Sequence, residues 1–227
     1  MNLSYIEDYW RITRNREVLI DHYFPSDPKA LSHQRSLWAC DFFRQLPISS
    51  ALEIGCTCGR NLFHLQCLNP EIKVTGIDIN PDVVEFARSK VKGQLVLGNF
   101  FDLEKFFSQK FDLIFTMGIL VTIPPKNLEK LMEKILSLSH KYIIHFEYQG
   151  DGRLMSGREE DKPVWRVSDS YWWANDIVSF YEKRNIFFQR FPIPQNVIDV
   201  GLNEVIFVDL TGSNKKLLLA ADEKSNE

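Results

Sequence analysis

The stretch that decides the fold is Ala51-Leu52-Glu53-Ile54-Gly55-Cys56-Thr57-Cys58-Gly59-Arg60-Asn61. Ala51–Ile54 reads as a short buried strand, two glycines follow, and Arg60–Leu68 then carries a helical apolar spacing. Glycine lets the backbone approach a ligand closely, and the free N–H groups at a helix start face that ligand. On α/β sheets, nucleotide sites lie at such turns, past the carboxyl ends of the strands. The turn excludes two common nucleotide motifs. A dinucleotide fingerprint needs glycines at its first, third and sixth positions, where this chain has Gly55, Thr57 and Arg60, and no Gly-Lys-Ser/Thr follows to make a phosphate loop.

Working outward, strands and helices alternate. Lys73–Asp78 is a second strand, followed by a helix opening at Asn80-Pro81, an N-cap residue and a residue suited to the first helical position. Leu95–Leu97, Asp112–Thr116 and Tyr142–Phe146 are further strands, with a helix over Asn127–Leu138 between the last two. That rhythm predicts strand–helix–strand units and a parallel sheet. Upstream, Pro25 and Pro28 break a helical, aromatic stretch that resumes over Lys29–Leu46. Downstream, Gln149–Lys162 is a polar, glycine-bearing connection. Ser168 is placed to cap an aromatic helix running to about Lys183, and Ile186–Phe191 and Glu204–Leu210 are strand-like.

Glu53-Ile54-Gly55-x-x-x-Gly59 resembles the first motif of class I S-adenosylmethionine-dependent methyltransferases. The resemblance continues through Val74-Thr75-Gly76-Ile77-Asp78-Ile79-Asn80, Gly98-Asn99-Phe100-Phe101-Asp102-Leu103 and Phe111-Asp112-Leu113-Ile114-Phe115-Thr116-Met117-Gly118, in order and with matching spacing over about residues 50–148. It implies a three-layer α/β/α Rossmann-like fold with a mostly parallel seven-stranded sheet whose last strand is antiparallel, and S-adenosyl-L-methionine as cofactor. Carried over residue by residue, it places the cofactor against Glu53, Gly55, Cys56, Gly59, Asn61, Asp78, Ile79, Asn99, Phe100, Thr116 and Met117. Glu53 lies toward the cofactor's amino-acid end, and Ile79 and Asn99 toward adenine. Asp78 ends its strand 19 residues after Gly59, close to the interval of about 20 residues at which an acid reaches ribose hydroxyls. Two positions depart from the family pattern. Thr57 stands where a glycine is usual, so the turn either avoids positive φ there or carries strain. Asn99 stands where an acid is common, and meets adenine as a neutral amide.

A narrower resemblance lies in Phe115-Thr116-Met117-Gly118-Ile119-Leu120-Val121-Thr122-Ile123-Pro124 and Lys141-Tyr142-Ile143-Ile144-His145-Phe146-Glu147-Tyr148. Both are similar to methyltransferases associated with pseudaminic acid and other surface-glycan biosynthesis, in which histidine is common where this chain has Thr122. It implies methyl transfer to an oxygen or nitrogen of a small polar molecule. The candidate acceptor residues are Tyr9, Trp10, Tyr148, Arg158 and Trp165, with Arg158 and Arg166 able to clamp an acidic substrate. The alternatives are a methyltransferase of protein or nucleic acid, or a nonenzymatic cofactor-binding subunit.

For catalysis, Glu147 sits at the carboxyl end of the fifth strand, where ligand sites occur. His145 lies within that strand, where a core histidine is the commoner outcome and a general base the rarer one. No metal is expected: Cys56 and Cys58 are spaced too tightly for a zinc pair, and with Cys67 they read as small packing residues. Pro124-Pro125 lacks the polar and aromatic flanks of the Asp/Asn-Pro-Pro-aromatic tetrapeptide of amino-methyltransferases acting on nucleic-acid bases, because Ile123 and Lys126 stand there.

Composition agrees with this reading. The chain has 227 residues with a formal net charge of -3, which argues against a dedicated nucleic-acid binder. Met1–Trp10 has no basic start followed by an apolar run, and Leu113–Ile123 is far short of the ~20 residues of a membrane span. A cytoplasmic protein without membrane contact is expected. The expected organisation is one domain over residues 1–212: a helical cap (1–47), a cofactor-binding core (50–148) and a substrate-side insertion with the last strands (149–212). A flexible tail is expected over 213–227. All five tryptophans (Trp10, Trp38, Trp165, Trp172 and Trp173) fall outside the core stretch.

Overall fold

A computed structural model describes residues 34–153, 172–194, 197 and 202–218, together with Glu7, Asp8, Trp10, Arg11, Ile20 and Phe24. Helix α1 spans Gln34–Phe43, and β1 (Ser50–Ile54), α2 (Arg60–Leu68), β2 (Lys73–Asp78), α3 (Pro81–Lys90) and β3 (Gly93–Leu97) follow. A 3₁₀ turn over Phe100–Asp102 leads into the short α4 (Leu103–Phe106) and β4 (Phe111–Met117). A second 3₁₀ turn, Leu120–Thr122, precedes α5 (Pro125–Leu138) and β5 (Ser139–Glu147), and α6 (Val178–Glu182), β6 (Phe188–Pro192) and β7 (Glu204–Asp209) close the sequence.

The strands form one seven-stranded sheet in the order β3-β2-β1-β4-β5-β7-β6. Strands β1 to β5 pair in parallel, and β7 runs antiparallel to both β5 and β6. Strand order reverses between β1 and β4, the point at which open α/β sheets leave a crevice beyond their carboxyl ends.

Alternation along the strands builds the three layers. Ala51, Leu113, Phe115, Tyr142 and Phe207 face one apolar cluster with Phe42 and Phe43 of α1, Leu62 of α2 and Ala87 of α3. Leu52, Ile114, Ile143 and Ile206 face the other, with Leu128, Leu131, Met132 and Ile135 of α5 and Tyr181 of α6. Those α5 residues recur at helical spacing, and Glu129 and Glu133 on its opposite face pair with Arg184. As the sequence indicates, Asn80 caps α3, its side chain accepting from the amides of Asp82 and Val83.

Three elements differ from expectation. Among the described residues the aromatic helix is only Val178–Glu182, because Trp173 and Asn175 run extended beside the second 3₁₀ turn; Ser168, its expected cap, lies outside them. The Trp173 amide donates to Val121 O at 2.8 Å. The Asn175 side chain donates to Leu120 O and Ile123 O, so hydrogen bonds outside the segment override its helical pattern. The second difference is α1, which spans Gln34–Phe43 rather than all of Lys29–Leu46. Residues 29–33 lie outside the described residues, and Arg44–Leu46 leave the helix in a turn. Third, residues 213–218 are docked rather than frayed: Leu217 is buried in the first cluster and its amide donates to Gln189.

Candidate active site

The cavity beyond the carboxyl ends of β1, β2 and β4 has a volume of about 980 Å³, part of it continuous with solvent. Every segment of the predicted motifs reaches it. Gly55 has φ 73°, and a Cβ there would lie 2.9 Å from Ile119 Cγ1, so the first glycine is required both by conformation and by the close approach of the segment after β4. Thr57 does adopt positive φ, 44°, uncommon for a β-branched residue. Its amide donates to Asp78 Oδ2 at 3.0 Å, a bond that holds the turn in place.

Asp78 is buried at the end of β2, and its Oδ1 accepts from the Asn80 amide at 3.0 Å. Two amides occupy two of the roughly four acceptor positions of a carboxylate, which leaves acceptor capacity on the cavity side. Burial raises its pKa and the backbone amides oppose the shift.

Glu53 is 1% exposed. Its Oε1 accepts from Asn61 Nδ2 at 2.6 Å, and Asn61 Oδ1 in turn accepts from Ser36 Oγ at 2.7 Å, so α1, α2 and β1 fix one carboxylate orientation. Its Oε2 is buried without a hydrogen-bond partner. Burial pushes the carboxyl up to about 8, with Asn61, Arg60 and Arg35 opposing. Arg35 and Arg60 are themselves buried and line the same part of the cavity. The rest of the wall is largely apolar: Ile79, Val83, Phe100, Phe101, Met117, Ile119 and Ile123.

Of the eleven residues predicted to touch the cofactor, Glu53, Gly55, Asn61, Asp78, Ile79, Phe100 and Met117 line this cavity. Cys56, Gly59, Asn99 and Thr116 do not. Cys56 turns its side chain into the sheet–helix core, where its Sγ lies 2.7 Å from the position of a Cβ on Gly76, and burial pushes its thiol well above the usual range. Gly59 serves packing, since a Cβ would lie 2.8 Å from Val91 Cγ2 beside the end of α3. Asn99 turns back to cap the first 3₁₀ turn, its Oδ1 accepting from the Phe101 amide at 2.9 Å. Thr116 pairs with His145 across β4 and β5.

Neither catalytic candidate is on the wall. His145 is completely buried, with Nδ1 2.9 Å from Thr116 Oγ1 and Nε2 2.7 Å from Tyr181 Oη. Burial drives its pKa down to about 3, so it is a neutral core residue with both ring nitrogens engaged. Glu147 is also fully buried: Oε1 accepts from the Ile119 amide at 3.0 Å and Oε2 from the Leu120 amide at 3.1 Å. Burial raises its carboxyl to about 7, with the loop amides and Thr116 opposing. It positions the cavity-lining segment after β4 rather than facing the cavity.

Among the acceptor candidates, Trp10 lines the cavity, while half-buried Tyr148 does not. Tyr9, Arg158 and Trp165 lie outside the described residues, as does Arg166. Motif reading missed Glu7, Arg35, Thr57, Arg60, Asn80 and Thr122, all on the wall. Among the described residues, no group of three or more His, Cys, Asp or Glu could hold a metal, and no helix is long and apolar enough to cross a membrane.

Residues 51–141 match the methyltransferase domain family. The matched stretch, 91 of the chain's 227 residues, resembles a methyltransferase domain. It includes β1 through the start of β5, hence the glycine turn, Asp78 and the segment after β4. A 66-residue stretch is 35% identical to the 23S rRNA (uracil(747)-C(5))-methyltransferase RlmC of Escherichia coli strain SMS-3-5, and covers 29% of this chain but only 17% of that protein. The methyltransferase fold extends further than this match. Magnesium protoporphyrin IX methyltransferase from Synechocystis PCC 6803, solved with bound SAH, superposes with a TM-score of 0.65 at 13% identity, over 92% of this chain and 99% of its own. Streptomyces venezuelae DesVI superposes with a TM-score of 0.59 at 11% identity, over 86% and 98%. These likenesses establish the fold.

Proposed function

We propose that this chain transfers a methyl group from S-adenosylmethionine to an oxygen or nitrogen of a small polar acceptor. The observation that carries the cofactor assignment is the pair of carboxylates on one cavity wall. Glu53, with its buried unpartnered oxygen, suits an ammonium group, and Asp78, with spare acceptor capacity at the end of β2, suits ribose hydroxyls. Arg35 and Arg60 beside Glu53 supply cationic partners for an α-carboxylate. Ile79, Phe100 and Phe101 offer apolar surface to a purine. The Synechocystis relative, solved in separate structures with SAH and with SAM, supports the same cofactor.

When bound, S-adenosylmethionine supplies a methyl group already activated by its sulfonium, which passes to an acceptor lone pair as the carbon–sulfur bond breaks. The residues of this chain orient and enclose that reaction. Glu147 holds the Ile119–Thr122 segment against the cavity, and Trp10 and Thr122 form wall beside it. A hydroxyl acceptor would need a base to take its proton, whereas an amine attacks once its lone pair is free. Neither His145 nor Glu147 is positioned as that base.

The finer reading, a sugar of surface-glycan biosynthesis as acceptor, rests on the resemblance of residues 115–124 and 141–148. The net charge of -3 favours a small acceptor over a nucleic acid. Calorimetric titration with S-adenosylhomocysteine tests the cofactor, and a radiolabelled-methyl screen of amino and hydroxy sugars tests the acceptor. Heat with NADH and none with S-adenosylhomocysteine would overturn the cofactor assignment. Cofactor binding without turnover on any acceptor would favour a nonenzymatic subunit.

A further inference from the structure

We infer that Glu7, outside every motif, is the residue that recognises the exocyclic amine of adenine, an inference that rests on the S-adenosylmethionine reading above. The position after β3 where an adenine contact was expected holds Asn99, and Asn99 is turned away from the cavity. Its acceptor oxygen takes the Phe101 amide at 2.9 Å, while its Nδ2 donates to Glu7 Oε1 at 2.7 Å. The side chain that reaches the cavity wall at this end is Glu7 itself, beside Ile79, Phe100 and Phe101. A planar base against those apolar side chains has a carboxylate at its edge.

The chemistry at that edge is selective. A carboxylate accepts only, and with one position used by Asn99 it keeps the capacity to take an N–H from an amine. At the 6-position an amino purine presents such donors, whereas a 6-oxo purine presents carbonyl lone pairs there and keeps only N1–H, displaced from that position, to offer the carboxylate. The other carboxylates on the wall stand on other elements: Asp78 ends β2, where it holds the Thr57 and Asn80 amides, and Glu53 lies near the end of β1, bonded to Asn61. Glu7 is also held in place. Asn99 fixes its carboxylate, and three residues later the Trp10 carbonyl accepts from Asn80 Nδ2 at 2.9 Å, tying the segment to the residues after β2 as well.

The test is calorimetric titration of the full chain with S-adenosylhomocysteine and with S-inosylhomocysteine, its 6-oxo counterpart, for the wild type and Glu7→Met. The wild type should prefer the amino ligand at least tenfold. Glu7→Met should weaken that ligand about tenfold and change the oxo ligand less than twofold, so the preference collapses, with the melting temperature confirming a folded variant. If both ligands weaken equally, Glu7 only holds the segment in place and the inference fails. An unchanged preference overturns it as well. A wild type that binds neither ligand overturns the cofactor reading and this inference with it.

Discussion

The Asp78 carboxylate accepts the backbone N–H of Thr57 at 3.0 Å, so the acid that ends β2 also fixes the strained residue of the turn that follows β1. Removing it therefore does two things. Asp78→Ala should weaken S-adenosylhomocysteine binding by about 1–3 kcal/mol, and should cost a similar amount of stability because the Thr57 and Asn80 amides lose their acceptor. Titration calorimetry and urea unfolding read the two losses separately. An unchanged dissociation constant would rule out the ribose role.

Thr57→Gly probes the other partner. A non-glycine residue in the left-handed region costs roughly 1–2 kcal/mol, and the added freedom of glycine in the unfolded chain offsets roughly 0.5–1 kcal/mol of the relief. The variant should be up to about 1 kcal/mol more stable than the wild type. A loss of stability in urea unfolding would mean that the Thr57 side chain contributes packing that outweighs the strain.

His145→Ala separates core from chemistry. The change leaves the Thr116 and Tyr181 hydroxyls without their partner and opens a cavity between β5 and α6, for a cost of about 2–4 kcal/mol. The dissociation constant of S-adenosylhomocysteine should change less than twofold in calorimetry at a temperature where the variant is folded. A normal melting curve with lost methyl transfer would instead restore His145 as a base.

The sequence made the sheet legible because β1, β2 and β4 are short apolar runs that end at glycine or acid, while the period-two alternation of their faces is seen in the structure. The same alternation explains where motif reading erred. Thr116 and Met117 are adjacent on β4, so they point to opposite faces; Met117 meets the cavity and Thr116 meets His145. A motif names a window, and only the pleat decides which member of it faces the ligand. Glu7 and Arg35 were invisible for another reason. A charged residue in a helix-like stretch reads as solvated surface, and nothing local shows that α1 brings Arg35 to the cavity or that Asn99 and Asn80 hold Glu7 and the Trp10 carbonyl there. Glu147 illustrates a third limit: the sequence places it at the carboxyl end of β5, but its role depends on amides 27 and 28 residues away in sequence.

Glu53 gives the pH dependence. In the free protein, burial holds its carboxyl at about 8, so it is mostly protonated at neutral pH. An ammonium placed against it favours the carboxylate, so cofactor binding expels a proton. A reaction that releases a proton is strengthened as pH rises, here by up to about tenfold per unit below the free carboxyl's value of about 8 and above that of the bound state, for one proton released. The stability of the free protein moves the other way. A carboxyl raised in the folded state stabilises it fully below the unfolded value of about 4.3, and that contribution is lost as pH rises through about 8. His145, held near 3, opposes this trend only below its unfolded value of about 6.5. Between pH 6.5 and 8, then, the free wild type should lose melting temperature while its affinity for S-adenosylhomocysteine grows. Glu53→Gln, which cannot ionise, should flatten the pH dependence of affinity and lessen the fall in melting temperature. Calorimetry in buffers of different ionisation enthalpy counts the proton directly. If the wild type released none at pH 7, Glu53 would not be the group that meets the ammonium.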